Sequence, residues 1–111
     1  MIADVYESML KELEGCQQHM LSLEKEKALS GLRTWYKKAH NHFSDLVQNF
    51  KHVKKGDPGY LLKNQGDLIL KNLNMQETSV NDLLNLTESQ ILQLFEKQFK
   101  LKKIIRSLSE I

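Results

Sequence analysis

The feature that most constrains this chain is an unbroken 4-3-4-3 spacing of apolar residues at its start: Ile2, Tyr6, Met9, Leu13, Cys16, Met20 and Leu23. On an α-helix that spacing lays every one of them on a single narrow stripe, the seam geometry of coiled coils and tight bundles. A second series, Leu32, Tyr36, Ala39, Phe43, Leu46, Phe50 and Val53, repeats the rhythm. The register slips between Leu23 and Leu32, a nine-residue step that is no multiple of a heptad. Glu24-Lys25-Glu26-Lys27 is strong helix former and Ser30-Gly31 follows it; glycine is the usual residue just past a helix end. The hairpin turn between two antiparallel helices is therefore placed at Ser30-Gly31. The alternative is one discontinuous helix of about 52 residues, near 78 Å long at 1.5 Å per residue.

One stretch, Lys54-Lys55-Gly56-Asp57-Pro58-Gly59, clusters charge, glycine and proline. Pro58 lacks a backbone donor and pushes Asp57 out of the helical region, so the main break is placed there. The organisation expected is a heptad-patterned hairpin or long helix over 1–55, a turn at 56–59, and a small helical subdomain over 60–111. In that second part Tyr60, Leu61, Leu62, Leu68, Ile69, Leu70 and Leu73 mark a third helix, weakened by Gly66. Asn74 to Thr78 reads as a loop, and Thr78 or Ser79 as the cap of a short helix holding Val80, Leu83 and Leu84. Thr87-Glu88-Ser89-Gln90 is a capping box that opens a last helix through Ile91, Leu94, Phe95, Leu101, Ile105 and Leu108. The fold class expected is all-α: a long, coiled-coil-like helical hairpin followed by a compact set of two or three shorter helices.

Composition narrows the functional classes. In 111 residues there are 5 glycines, 1 proline and 1 cysteine, too little turn chemistry for a β-rich fold and too little sulfur for an internal disulfide. A reducing, cytoplasmic setting is expected. No apolar run approaches the roughly 18 residues of a membrane span, and Asp4 and Glu7 near the start do not read as a signal peptide. Net charge is 16 − 14 = +2, but it is unevenly spread. Residues 1–30 carry six acids and three bases, residues 31–55 six bases and one acid, and residues 96–106 five bases and one acid. An acidic first helix beside a basic second one favours antiparallel pairing, within the chain or between two chains.

Site chemistry is thin. His40 and His42 stand two apart, on opposite sides of a helix, and His19 with Cys16 makes only a pair where zinc takes three or four ligands. No metal and no cofactor is therefore expected. The acids interleave with lysines as solvated faces do, and no G-x-S-x-G, Walker-type or G-x-G-x-x-G element is present; the expectation is that the chain is not an enzyme. Two basic groups, Lys51, Lys54 and Lys55 beside His52, and Lys100, Lys102, Lys103 and Arg106, are candidate nucleic-acid or anion contacts if they share a face. Trp35, Tyr36, Phe43 and Phe50 are candidate stacking residues, although their heptad spacing points to core packing.

Two short segments carry family resemblances. His52-Val53-Lys54-Lys55-Gly56 resembles the H-x-x-K-G core of histidine phosphotransfer domains, helical bundles of about this length. That resemblance implies His52 as a phosphoryl acceptor; the alternative is a basic helix end complementing its dipole. Asp82-Leu83-Leu84-x-Leu86-Thr87-Glu88, with Ile91, Leu94, Lys102, Lys103 and Ile105, is similar to the closing two helices of sterile-alpha-motif domains, which implies self-association or partner binding. The leading expectation is a non-enzymatic protein–protein interaction module: an adaptor, scaffold or small helical chaperone. Its partner is a protein, itself as an oligomer or another protein's helix, with nucleic acid second. An apolar seam needs covering, and Met9, Leu13, Met20, Leu23, Tyr36, Phe43 and Phe50 are the expected contact residues.

Overall fold

Each heptad stripe calls for a helix to cover it, and the two stripes of the first half cover each other. The computed structural model describes residues 2–21 and 24–108. Among them are four α-helices, α1 (Ile2–Leu21), α2 (Lys25–Asn49), α3 (Pro58–Asn81) and α4 (Glu88–Leu108), with a 3-10 turn at Leu83–Asn85. The fold is all-α. The hairpin turn falls between Leu21 and Lys25, not at Ser30-Gly31 as the sequence suggested. The reason is packing: Ala28, Leu29 and Leu32 are all buried, so helix must already be running there. Gly31 lies inside α2 as a point of close approach, where an added Cβ would stand 2.9 Å from Cys16 Sγ on α1.

The break before Pro58 forms, but with other bounds than the 56–59 expected: α2 ends at Asn49, and Pro58 and Gly59 already belong to α3. Gly56 takes a φ of +103°, open to glycine at little cost, and Asp57 is extended with Pro58 in the first helical turn behind it. From there α3 runs unbroken through 74–78, the stretch read as a loop, and on to Asn81. The short helix expected around Val80, Leu83 and Leu84 is the end of α3 plus the 3-10 turn. Asn74 and Thr78 weaken a helix in isolation, yet Gln76 and, just beyond, Val80 are buried, and tertiary packing overrides the propensity. The second half is thus a pair of long helices, not a set of shorter ones. The capping box does open α4: the Thr87 N–H donates to Gln90 Oε1 at 2.9 Å and the Gln90 N–H to Thr87 Oγ1 at 3.2 Å.

Cross-contacts define the topology. Trp35 Nε1 donates to the Met9 carbonyl at 2.8 Å, and the Tyr6 ring stacks on Phe43 at 5.9 Å, so α1 and α2 are antiparallel. Arg33 to Asn81 and Tyr36 to Gln76 set α2 against α3, Gln76 to the Lys97 carbonyl sets α3 against α4, and Gln17 to Gln98 returns α4 to α1. Every neighbouring pair is antiparallel, an up-down-up-down four-helix bundle. One core runs through all four helices, holding among others Leu13, Leu32, Phe43, Ile69, Leu73, Leu94, Leu101 and Ile105.

That core contains one polar layer. The Tyr36 hydroxyl donates to Gln76 Oε1 at 2.5 Å and accepts from Gln98 Nε2 at 3.2 Å. Gln76 Nε2 donates to the Lys97 carbonyl at 3.3 Å, and Gln98 Oε1 accepts from Gln17 Nε2 at 2.9 Å. Gln17 Oε1 in turn accepts from Lys102 Nζ at 3.1 Å, whose other partner is Glu14 at 3.7 Å. Each helix contributes one member or more, and the chain of bonds runs from the centre of the bundle to its surface. Tyr36, Gln76 and Gln98 are essentially without solvent contact, and every polar atom of the three side chains is paired.

Several outcomes follow from this packing. Tyr36→Phe strands Gln76 Oε1 and Gln98 Nε2 and lowers unfolding stability by about 1–3 kcal/mol in urea titration, whereas Tyr36→Phe with Gln76→Leu and Gln98→Leu recovers most of that loss. Burial holds the Tyr36 phenol well above the ordinary tyrosine range. The sign follows: stability is complete below the unfolded-state value of about 10 and declines as pH rises past it, a decline that Tyr36→Phe reduces. Gly15→Ala, with open space around the new methyl group, raises stability by about 0.5–1 kcal/mol. Gly66→Ala lowers it, because its Cβ would stand 2.8 Å from Val47 Cγ2 on α2.

Candidate interaction surface

Most of the expected contact residues lie inside the bundle. Leu13, Met20, Tyr36 and Phe43 are buried by the chain's own helices, so the seam is covered from within. Leu23 lies outside the described residues. Phe50 is half-buried at the end of α2, its ring packed over Gly59. Met9 is half-buried and lines a shallow groove of about 470 Å³ between α1 and α2, with Val5 and Trp35 as its apolar floor and Asp4, Glu12, Lys38 and His42 around it. Within that groove's edge, His42 packs edge-on against Tyr6 and Phe43, and its Nε2 is buried without a hydrogen bond.

The basic groups divide. Lys51, Lys54 and Lys55 are exposed in the α2–α3 connection, and Lys100, Lys103 and Arg106 on the last turns of α4. Antiparallel packing carries both groups toward the same end of the bundle, together with Asp4 and Glu7 of α1. Lys102 is turned inward to Gln17 and Glu14, with 14% of its side chain exposed, and it is part of the fold. Lys103 Nζ stands 4.8 Å from the centre of the Phe99 ring. His52 is exposed beyond Asn49, where α2 has ended, so it sits in a turn and not on a helix face. Cys16 is half-buried against α2, and burial, then the charge of Glu12, push its thiol upward. Among the described residues no three His, Cys, Asp or Glu side chains converge as metal ligands, and no helix is long and apolar enough to cross a membrane.

The outward-facing surface the sequence reading missed is on α3. Leu61, Leu68 and Met75 recur every seven residues and are 49%, 44% and 62% exposed. One position further on, Leu62, Ile69 and Gln76 form the parallel stripe that faces inward. Residues one apart differ by about 100° around a helix, so α3 carries two heptad stripes, and the inner one ends in a glutamine while the outer one ends in a methionine. The same inversion occurs on α4, where Gln98 is fully buried and its neighbour Phe99 is 54% exposed, with Leu92 seven residues before it. Reading 74–78 as a loop removed Met75 from the third helix and hid the spacing. The clue available was that 61, 68 and 75 continue one heptad phase.

Scattered apolar residues are normal on a protein surface. Three in one heptad phase, flanked by an inward glutamine, are a pattern. Comparison with protein-family models, with curated proteins and with solved structures gives no match. The class of protein that the fold defines is the up-down-up-down four-helix bundle, and the α3 stripe is its candidate interaction surface. Truncation should separate the two stripes: Leu68→Ala changes unfolding stability by less than about 1 kcal/mol, while Ile69→Ala costs about 2–5 kcal/mol, both read by urea denaturation.

Proposed function

We propose that this chain is a non-enzymatic protein-interaction module, an adaptor, scaffold or small helical chaperone, that receives its partner on the outward stripe Leu61, Leu68 and Met75. The observation that carries the reading is the inversion at positions 75 and 76, methionine out and glutamine in. A chain selected only for its own stability would gain by placing the apolar residue inside and the amide in water. Methionine at the end of such a stripe suits partners of varied shape. The heptad seam expected to serve this role is used instead to close the bundle, and its closure makes α3 a rigid platform.

Nucleic-acid binding is less well supported. Lys102 is engaged in the fold, and Asp4, Glu7 and Asp57 stand at the same end as the basic clusters. Phosphotransfer through His52 lacks the helix face on which that chemistry is displayed. The reading is tested by Leu61→Lys, Leu68→Lys and Met75→Lys together, compared with Asn41→Lys on the exposed side of α2, in co-purification from the native source. The triple variant keeps its helical circular dichroism and its thermal midpoint within a few degrees but loses the proteins retained by the wild-type chain; Asn41→Lys keeps them. Equal retention by all forms would refute the surface.

A further inference from the structure

We propose that the partner of the α3 stripe is a second copy of this chain, docked antiparallel. The inference rests on the reading of that stripe as an interaction surface and names its occupant from charge and spacing. The stripe is centred on Leu68, with Leu61 and Met75 at equal seven-residue distances on either side. A two-fold axis through Leu68 therefore sets Leu68 on Leu68 of the second copy and Leu61 across from Met75 of the second copy. This is the self-complementary geometry of an isologous dimer, in which each unlike pair occurs twice.

Charge chooses the direction. The connection before α3, residues 50–57, holds exposed Lys51, Lys54 and Lys55 against one acid, Asp57, and so is net basic. At and beyond its C-terminal end, residues 77–88 hold Glu77, Asp82 and Glu88 and not one lysine or arginine. Asp82, the residue that closes α3, is exposed and in line with the stripe, seven residues beyond Met75. Parallel docking would set Lys54 and Lys55 against the same lysines and Asp82 against Asp82. Antiparallel docking sets the basic connection of each copy beside the acidic end of the other, at both ends of the stripe. The charges are exposed, so they act mainly on choice of partner and orientation, and salt weakens them. The apolar stripe supplies the contact, and with three side chains from each copy it makes a weak, concentration-dependent dimer.

The experiment is sedimentation equilibrium of the full chain from about 10 µM to 1 mM, with Cys16→Ser throughout to remove disulfide-linked species. The wild-type stripe gives a concentration-dependent dimer, weaker at high salt. Leu68→Lys gives a monomer with unchanged helical circular dichroism. Asp82→Lys alone and Lys54→Glu with Lys55→Glu alone each weaken self-association several-fold, and an equimolar mixture of the two forms heterodimers at least as tightly as the wild type. A wild-type monomer at the highest concentration, a dimer that survives Leu68→Lys, or a mixture no tighter than its components each overturns the proposal. A monomeric wild type that still loses its co-purifying proteins on substitution of the stripe removes the second copy as occupant and keeps the interaction surface. A monomer whose co-purification is indifferent to the stripe removes both.

Discussion

The hydrogen-bonded layer of Tyr36, Gln76, Gln98 and Gln17 is the constraint on which the rest of the bundle depends. Heptad apolar residues bring four helices together and turn each stripe inward, but leave the register between helices loose, because leucine packs against leucine at many heights. A buried amide is different. Unpaired, Gln76 or Gln98 would cost a desolvation penalty of about 1–3 kcal/mol, so each helix is held at the one rotation and height that satisfies both atoms of its amide. With Tyr36 at the centre, α2, α3 and α4 are locked to one another, and Gln17 ties in α1 through Lys102 and Glu14.

That lock has a cost that is visible on the surface. Turning α3 by one residue would bury Leu61, Leu68 and Met75 in place of Leu62, Ile69 and Gln76, but it would also bury Asn72 and Ser79 in place of Leu73 and Val80. The same turn on α4 would bury Leu92 and Phe99 in place of Ile91 and Gln98, and with them Lys102 and Arg106 in place of Leu101 and Ile105. The buried Leu73, Val80, Leu101 and Ile105 and the polar layer forbid both turns together, and the exposed stripe is the consequence. The register and the display of an apolar face meet at positions 75–76, and again at 98–99. The closed seam matters as much: with Leu13, Met20, Tyr36 and Phe43 consumed inside, whatever partner the protein has must be met on the outside of an already complete bundle.

How much of this was legible varies by element. The 4-3-4-3 spacing of α1 and α2, the break before Pro58 and the Thr87-Gln90 capping box are local signals, and local physics decides them. The hairpin position was not legible, because Ser30-Gly31 looks like a helix end when the contact that uses Gly31, the approach of Cys16 from α1, is distant in sequence. Asn74 to Thr78 was not legible as helix for the same reason: the bonds that hold Gln76 come from Tyr36 and Lys97. Gln98 lay unremarked between Leu94 and Leu101 because a polar residue in a core position is silent until its partners are in place. The basic residues were found individually, but their division into Lys102, spent on α1, and Lys103, stacked on Phe99, needed the packed helices.

Solution NMR of the glutamine side chains tests the central claim most directly. With the layer intact, the side-chain amide protons of Gln76 and Gln98 exchange with water far more slowly than those of exposed Gln48 and Gln93, and both show cross-relaxation to the Tyr36 ring. Side-chain amides of Gln76 and Gln98 that exchange as fast as the exposed ones, with no contact to Tyr36, would contradict the account, since the polar layer would then not fix the register in which Leu68 and Phe99 face outward.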